Sequence, residues 1–507
     1  MDVDRARSHG GHSELGGPSS GGGGGADLIS ALPDDVIIQI LVRLHCARAA
    51  AGTGILSRRW RGLWTRLPDL VFRDVAHSSL LAALSSLGPG GVSLSHLDIH
   101  VPAAVQDNVP ANGVSPCPRT GLQRGQPTKY ISSLLHAAAR LSPAALRFNH
   151  PHPVQKPFVD VDLSNCFRRA TTIELHAPFL CFPNPRSELP ALQILSLSGC
   201  RVNLAALVPL CPSLRVLRVA EAFLQPDVTI RSASLQVLAI QNKVINSSTG
   251  RVHVEALALK QLTMLIRTRC DLSVSVSAPL LEKVSWWCLY SGAPAGLGVW
   301  DLVAARLETE SHGLGEDVPR VHVLCLHMFA RCPRSYPDAD QEDGFATEIE
   351  KHMIINFSGL EVHLIKPEHV FGAFLLRLLG MQRIRTAMRS LKIVLKRSEM
   401  KDRCTPLVSC YCDEPKNWRT QTVSLINLEK VEIKRFEGQD HEFDFLRLIF
   451  RCAPMLKRVA LELSEAFIPN DDWCTEIYSI FMAYPSVECS VDHSAGPTCS
   501  SQSGVAT

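Results

Sequence analysis

The chain has 507 residues, 46% hydrophobic and 20% charged, a balance that excludes wholesale disorder and collagen-like repetition. Its 52 Lys+Arg against 49 Asp+Glu leave a formal charge of +3, so no global field draws it onto nucleic acid or an anionic membrane. No run approaches the roughly 18 apolar residues of a membrane span and the first residues lack a signal-peptide core, while the 17 Cys are scattered and odd in number. These features predict a soluble protein of the nucleus or cytoplasm whose thiols are reduced and mostly buried.

Residues 1–26 end in the run Gly21 to Gly25, carry almost no apolar periodicity and predict a disordered arm. Residues 27–66 change character. Pro33 suits a first helical turn, where its missing N–H would be unpaired anyway, and Asp34 and Asp35 complement the positive end of the helix dipole. Val36, Ile37, Ile40, Leu41 and Leu44 then fall on one helical face. A second helical run is expected to gather Ile55, Leu56, Trp60, Leu63 and Trp64 and to point Arg58 and Arg61 away. Two or three helices in so short a segment form a marginal core, and a partner is expected to complete the leftover apolar surface.

Residues 67–92 are expected to be a linker, followed by an irregular repeat region over 93–400. There a Leu-x-x-Leu-x-Leu pattern with aliphatic replacements returns nine times: Leu94-Leu97-Ile99, Leu192-Leu195-Leu197, Leu214-Leu217-Val219, Leu235-Leu238-Ile240, Val254-Leu257-Leu259, Val321-Leu324-Leu326, Met388-Leu391-Ile393, Leu428-Val431-Ile433 and Leu456-Val459-Leu461. Starts at 192, 214, 235 and 254 lie 22, 21 and 19 residues apart, close to the leucine-rich-repeat period. Such a unit cannot bury its own apolar face, so the copies should stack as a solenoid with one short strand each. Cys200 sits at the repeat's turn position. The polar or Pro/Gly-rich stretches 100–130 and 331–345 are expected to be loops, the second dividing the array, and 491–507 a disordered tail.

The string Leu32-Pro33-Asp34-Asp35-Val36, then Ile40 to Leu44, then Leu56-Ser57-Arg58-Arg59-Trp60-Arg61-Gly62-Leu63-Trp64, resembles the F-box of plant F-box proteins. The resemblance implies a three-helix hook that binds a Skp-type adaptor and through it a cullin scaffold. Carried over by position, Leu32 and Pro33 lead into the adaptor interface; Ile37, Leu41, Leu44 and Leu56 supply contact or hook core; Trp60 packs the third helix. Gly52 and Gly54 depart from the family's more usual Arg and Ser, at a cost of roughly 1 kcal/mol each if the link is helical. A second stretch is Cys410 to Trp418 followed by Leu428, Val431, Ile433, Phe436, Gly438, Glu442, Phe445, Leu448, Cys452, Ala453, Pro454 and Leu456. It is similar to the FBD domain that follows leucine-rich repeats in such proteins, and places the FBD and last repeats at 401–490. The expected fold is therefore α/β: a three-helix F-box, an irregular leucine-rich solenoid and an FBD extension.

No cofactor is expected. Cys404, Cys410, Cys412 and His441 contain one C-x-C and no second close pair, poor spacing for zinc. Arg58, Arg59, Arg61 and Arg66 interleave with Trp60 and Trp64, but the Trp residues belong to the apolar face, which disfavours nucleic acid and suits steering of an acidic adaptor. No P-loop, dinucleotide fingerprint, His-Glu-x-x-His or Gly-x-Ser-x-Gly motif points to an enzyme, and the Gly296-x-Gly298 pair reads as loop. His327 and His363 read as half-buried strand residues, Asn246-Ser247-Ser248 as an unused glycosylation acceptor, and the neighbours Trp286 and Trp287 as one core and one surface residue. The resemblance thus implies a substrate-recognition subunit of a Skp–cullin–F-box ubiquitin ligase holding an unknown protein substrate; the competing class is a repeat scaffold outside any ligase.

Overall fold

The computed structural model describes residues 32–88, 94–101, 127–150, 159–160, 167–177, 180–182, 187–224, 227–241, 250–268, 272–292, 295–311, 320–331, 341–365, 369–396, 411–465 and 467–493. The chain divides into two compact units, Met1–Leu67 and Pro68–Thr507. The predicted arm at 1–26, residues 494–507 of the predicted tail, Asn246, Ser247, Ser248, Cys404 and Cys410 lie outside the described residues, whereas Val491, Asp492 and His493, expected in that tail, belong to the strand Glu488–His493.

In the first unit the helix Asp34–Val42 starts where expected, with the Pro33 carbonyl accepting from the N–H groups of Val36 and Ile37 at 3.1 and 3.2 Å. A short helix Ala47–Gly52 follows and runs into a 3-10 turn, Thr53–Ile55. The expected third helix over 55–64 does not form. Its backbone closes single turns instead, with the N–H groups of Leu56, Trp60 and Leu63 bonding to the carbonyls of Thr53, Ser57 and Trp60. Gly62 is left-handed at φ +80° and reverses the chain before the 3-10 turn Leu63–Arg66. Gly54, Ser57 and Gly62 within nine residues dilute helix propensity below what one apolar face restores. Ile37, Leu41, Ala47, Ala50, Trp60 and Leu63 are buried and form the small core.

The second unit is built on one long sheet whose strands follow chain order. Nine consecutive strands pair in parallel: Asp69–Arg73, His96–His100, Ala145–Asn149, Thr172–His176, Ile194–Ser198, Val216–Ala220, Val237–Gln241, Gln261–Thr268 and Lys283–Tyr290. Trp300–Ser311 then runs antiparallel between Lys283–Tyr290 and Arg320–Ala330. The parallel course resumes through Gly359–Ile365, Ser390–Lys396, Lys430–Phe436, Arg458–Leu463 and Glu488–His493. Register is set by the repeat. Leu70, Leu97, Leu146, Ile173, Leu195, Leu217, Leu238, Leu262 and Val284 stand side by side, all on the buried face. Opposite the sheet, short strands form a second parallel ladder, Asp227–Arg231, Arg251–Glu255 and Ser273–Ser277.

Four expectations change. The stretch 67–92, expected as linker, supplies the first sheet strand and the helix His77–Ser86. The frame Val254-Leu257-Leu259 is displaced: Val254 belongs to the second ladder, Leu257 is 57% exposed, and the repeat begins at Leu259 with Leu262 and Met264 buried beneath. Within the stretches expected as loops, helices begin at Pro127 and Gln341. The break in the array comes earlier, at the reversed strand Trp300–Ser311. Of the described cysteines, Cys200, Cys211, Cys288, Cys325, Cys412 and Cys452 are buried and all are free thiols. Burial pushes the Cys200 thiol up to about 12, so it fills a turn of the solenoid as a small apolar group.

Candidate functional site

The helix Asp34–Val42 is apolar on more than one face. Ile37 and Leu41, one turn apart, point into the core, while Val36, Ile40 and Val42 are each more than a third exposed. Leu44 at 40%, Leu56 at 65% and Ile55 at 89% extend this exposed apolar surface, and Pro33 is exposed with them. The sequence-predicted set therefore separates: Ile37, Leu41 and Trp60 are core, Pro33, Leu44 and Leu56 are surface, and Leu32 is half-buried. Ile55 and Val42 join the surface. A helical reading of 55–64 hides Ile55, because it assumes a third helix that turns the residue inward.

The basic patch is partly neutralised within the same unit. Arg59 donates from Nε and Nη2 to Asp34 Oδ1 at 2.9 and 2.8 Å, and Arg66 lies 3.6 Å from Asp34 and 3.9 Å from Asp35. Such exposed pairs contribute little stability. Their effect is to halve the free positive charge of the patch, which weakens its appeal to nucleic acid.

On the solvent side of the long sheet, Trp287 is 39% exposed while Trp286 is fully buried, as strand alternation requires. The Arg306 guanidinium lies 5.9 Å from the Trp287 ring. Across the adjoining strands, register brings Cys325 beside Glu361 and His327 beside His363. Trp286 anchors a buried relay on the other side. Its Nε1–H donates to His352 Nδ1 at 3.0 Å, the His352 Nε2–H donates to the Tyr290 hydroxyl at 2.6 Å, and that hydroxyl donates to Glu348 Oε1 at 2.6 Å. Lys351 closes the chain on Glu348 Oε2. An indole N–H can only donate, so His352 must accept and stay neutral. Burial lowers its basicity to about 3.

Near the C-terminal end, Gly438 is left-handed at φ +69°, and a Cβ there would collide with Trp473. Glu442, fully buried at the start of the helix Asp440–Cys452, accepts the N–H groups of Glu437, Gly438 and Gln439 at 2.9, 2.7 and 3.3 Å. A buried carboxylate satisfied by three donors locks the turn between strand Lys430–Phe436 and that helix. Trp418 is fully buried against Gly372, its Nε1–H on Asp413 at 2.8 Å, and Arg419 bridges Asp413 and Asp444. These signature residues of the C-terminal region hold structure. Beside them a cleft of about 540 Å³ is lined by Asp440, Asp444, Asp472, Glu476, Phe443 and Trp473.

Residues 425–461, which contain the Gly438 and Glu442 turn, match the family model described as FBD. Two Arabidopsis thaliana proteins, a putative F-box/FBD/LRR-repeat protein and an F-box/FBD/LRR-repeat protein, are 56% and 54% identical to the chain over 48 and 46 residues. The chain is thus similar to plant F-box/LRR/FBD proteins. A further relative, a putative F-box/LRR-repeat protein of the same plant, is 29% identical over 238 residues, 45% of this chain and 49% of the relative. The two shorter matches cover 10% and 9% of this chain and 12% and 10% of those proteins. The chain thus spans about half the length of the F-box/LRR-repeat relative and about a tenth of each of the other two. In it, as a mixed α/β protein with a large sheet, the repeat strands and the FBD turn are continuous parts of one ladder.

Proposed function

We propose that this protein is a substrate-recognition subunit of a Skp–cullin–F-box ubiquitin ligase, working in the nucleus or cytoplasm. The observation that carries this reading is the exposed apolar surface of the first unit: Val36, Ile40, Val42, Leu44, Ile55 and Leu56 on a segment too small to need them outside. Burying apolar surface is worth about 25 cal/mol per Å², so an adaptor that covers these side chains gains affinity from burial, with little dependence on salt. The family names of the relatives support the same role. The chain performs no bond chemistry in this reading: the F-box unit fixes it to the adaptor and cullin, and the solvent face of the sheet, with Trp287 as an anchor, holds a protein substrate while other subunits transfer ubiquitin.

The test is co-purification of the full chain with a Skp-type adaptor at moderate salt, beside Leu56→Asp and the double change Leu32→Ala with Pro33→Ala. Leu56 is 65% exposed, so its replacement should leave the fold intact and reduce adaptor recovery at least tenfold. A well-folded parent that recovers no adaptor would overturn the ligase reading in favour of a repeat scaffold outside the ligase.

A further inference from the structure

The solvent side of the sheet carries a cluster that none of the foregoing uses. Cys325 and His327 lie two residues apart on Arg320–Ala330, so both point to the same side, and His363 stands opposite His327 on the neighbouring strand. The Cys325 sulfur and one ring nitrogen from each histidine lie within 4.8 Å of one another. Among the described residues this is the one cluster of three metal-ligand side chains drawn so close. The sulfur is 3.5 Å from His327 Nε2, the separation that two ligands of one tetrahedral zinc require when Zn–S is about 2.3 Å and Zn–N about 2.0–2.1 Å. The imidazoles stack with centroids 4.3 Å apart and planes 16° from parallel, so one ring must turn about its χ2 bond for both in-plane lone pairs to converge on one ion.

A second observation points to a missing ligand. His363 Nε2 is 2.7 Å from Glu361 Oε1, and because a carboxylate can only accept, Nε2 carries the proton. The lone pair of the neutral ring is then on Nδ1, which is buried and has no hydrogen-bond partner. A histidine whose one nitrogen is fixed by a carboxylate and whose other nitrogen is buried and unpaired is the arrangement that carboxylates impose on metal-binding histidines. Lys392 in turn fixes Glu361 at 3.1 Å. The nearby positive charges are largely compensated, Lys392 by Glu361 and Arg306 by Glu308 at 3.6 Å. Lys396 contributes a further positive charge to the field at Cys325.

We propose that Cys325, His327 and His363 bind one zinc ion, with Glu361 orienting His363 from behind and a fourth position left for water or a donor from a bound partner. The strand that carries Cys325 and His327 is the return arm of the reversed hairpin, and the strand that carries His363 opens the resumed parallel array. The ion would therefore fasten the two halves of the sheet where the repeat is broken. The Cys325 thiol would release its proton to solvent as the zinc–thiolate bond forms.

The experiment is titration of the metal-free full chain with zinc against a chromophoric chelator, and with cobalt(II) read by absorption. We expect one tight equivalent per chain and a thiolate-to-cobalt charge-transfer band. Cys325→Ser should remove both, His363→Gln should weaken zinc at least tenfold, and Glu361→Gln should weaken it roughly 10–100-fold while keeping the band. Circular dichroism of each variant checks that it folds. No tight equivalent in the parent, or an equivalent and band unchanged in well-folded Cys325→Ser, would overturn the site.

Discussion

Single residues of the FBD segment show how a family motif becomes a physical requirement. Gly438 has both a left-handed backbone and no room for a Cβ beside Trp473, so Gly438→Ala should destabilise the protein by about 2–4 kcal/mol, read as a lower urea midpoint. Gly52 is the opposite case. It ends a helix at φ −60° with nothing near its absent Cβ, so Gly52→Ala should stabilise the first unit by about 0.5–1 kcal/mol in thermal or urea unfolding. Both glycines are conspicuous in the sequence. Their contrasting roles are not legible there, because φ and the distance to a side chain 35 residues away are set by the folded chain.

At the scale of elements, the parallel strands were legible wherever aliphatic residues held the pattern, and hidden wherever shape was conserved by other means. The repeats at Leu67-Leu70-Phe72, Pro143-Leu146-Phe148, Ala170-Ile173-Leu175, Leu281-Val284-Trp286 and Phe357-Leu360-Val362 occupy the same register as the nine recognised copies, or their corrected frames. Phe, Trp, Ala and Pro fill those positions because the width available varies from coil to coil, and close packing rewards volume rather than residue class. One such aromatic, Trp286, brings with it the buried relay to His352. In the unfolded chain His352 titrates near 6.5 and in the fold near 3, so the unfolded state binds more protons between these values. Stability should therefore be fully present above pH 6.5 and fall as the pH drops toward about 3, by up to about 1.4 kcal/mol per pH unit. Urea unfolding across this range should show that slope, and His352→Gln, which keeps a donor and an acceptor, should flatten it. Glu348 and Lys351, which face the relay, remain in both proteins and cancel from the comparison.

At the scale of the whole molecule, the two compact units differ greatly in buried core. Among the described residues the first has six buried apolar side chains before Leu67, whereas the second shares one core along its long sheet. Small units bury a smaller share of their surface and are marginal. Calorimetry should accordingly resolve a low-temperature transition for the first unit, and Leu41→Ala, which costs about 2–5 kcal/mol in a core, should shift that transition and leave the main one in place. Under the proposed function, an added Skp-type adaptor should raise the same transition by mass action.

The sequence by itself determined the mixed α/β class, the helix start at Pro33, about half the strands of the array and the resemblance to F-box/LRR/FBD proteins, because each rests on local periodicity or a contiguous motif. Only the tertiary structure decided which apolar residues of the first unit stay outside, where the array reverses, and which polar side chains meet. Those outcomes depend on register between strands and on backbone turns at Gly62 and Gly438, which bring together residues far apart in the chain. Cys325 and His363 are such a pair: 38 positions separate them in the sequence, and one strand pairing makes them neighbours.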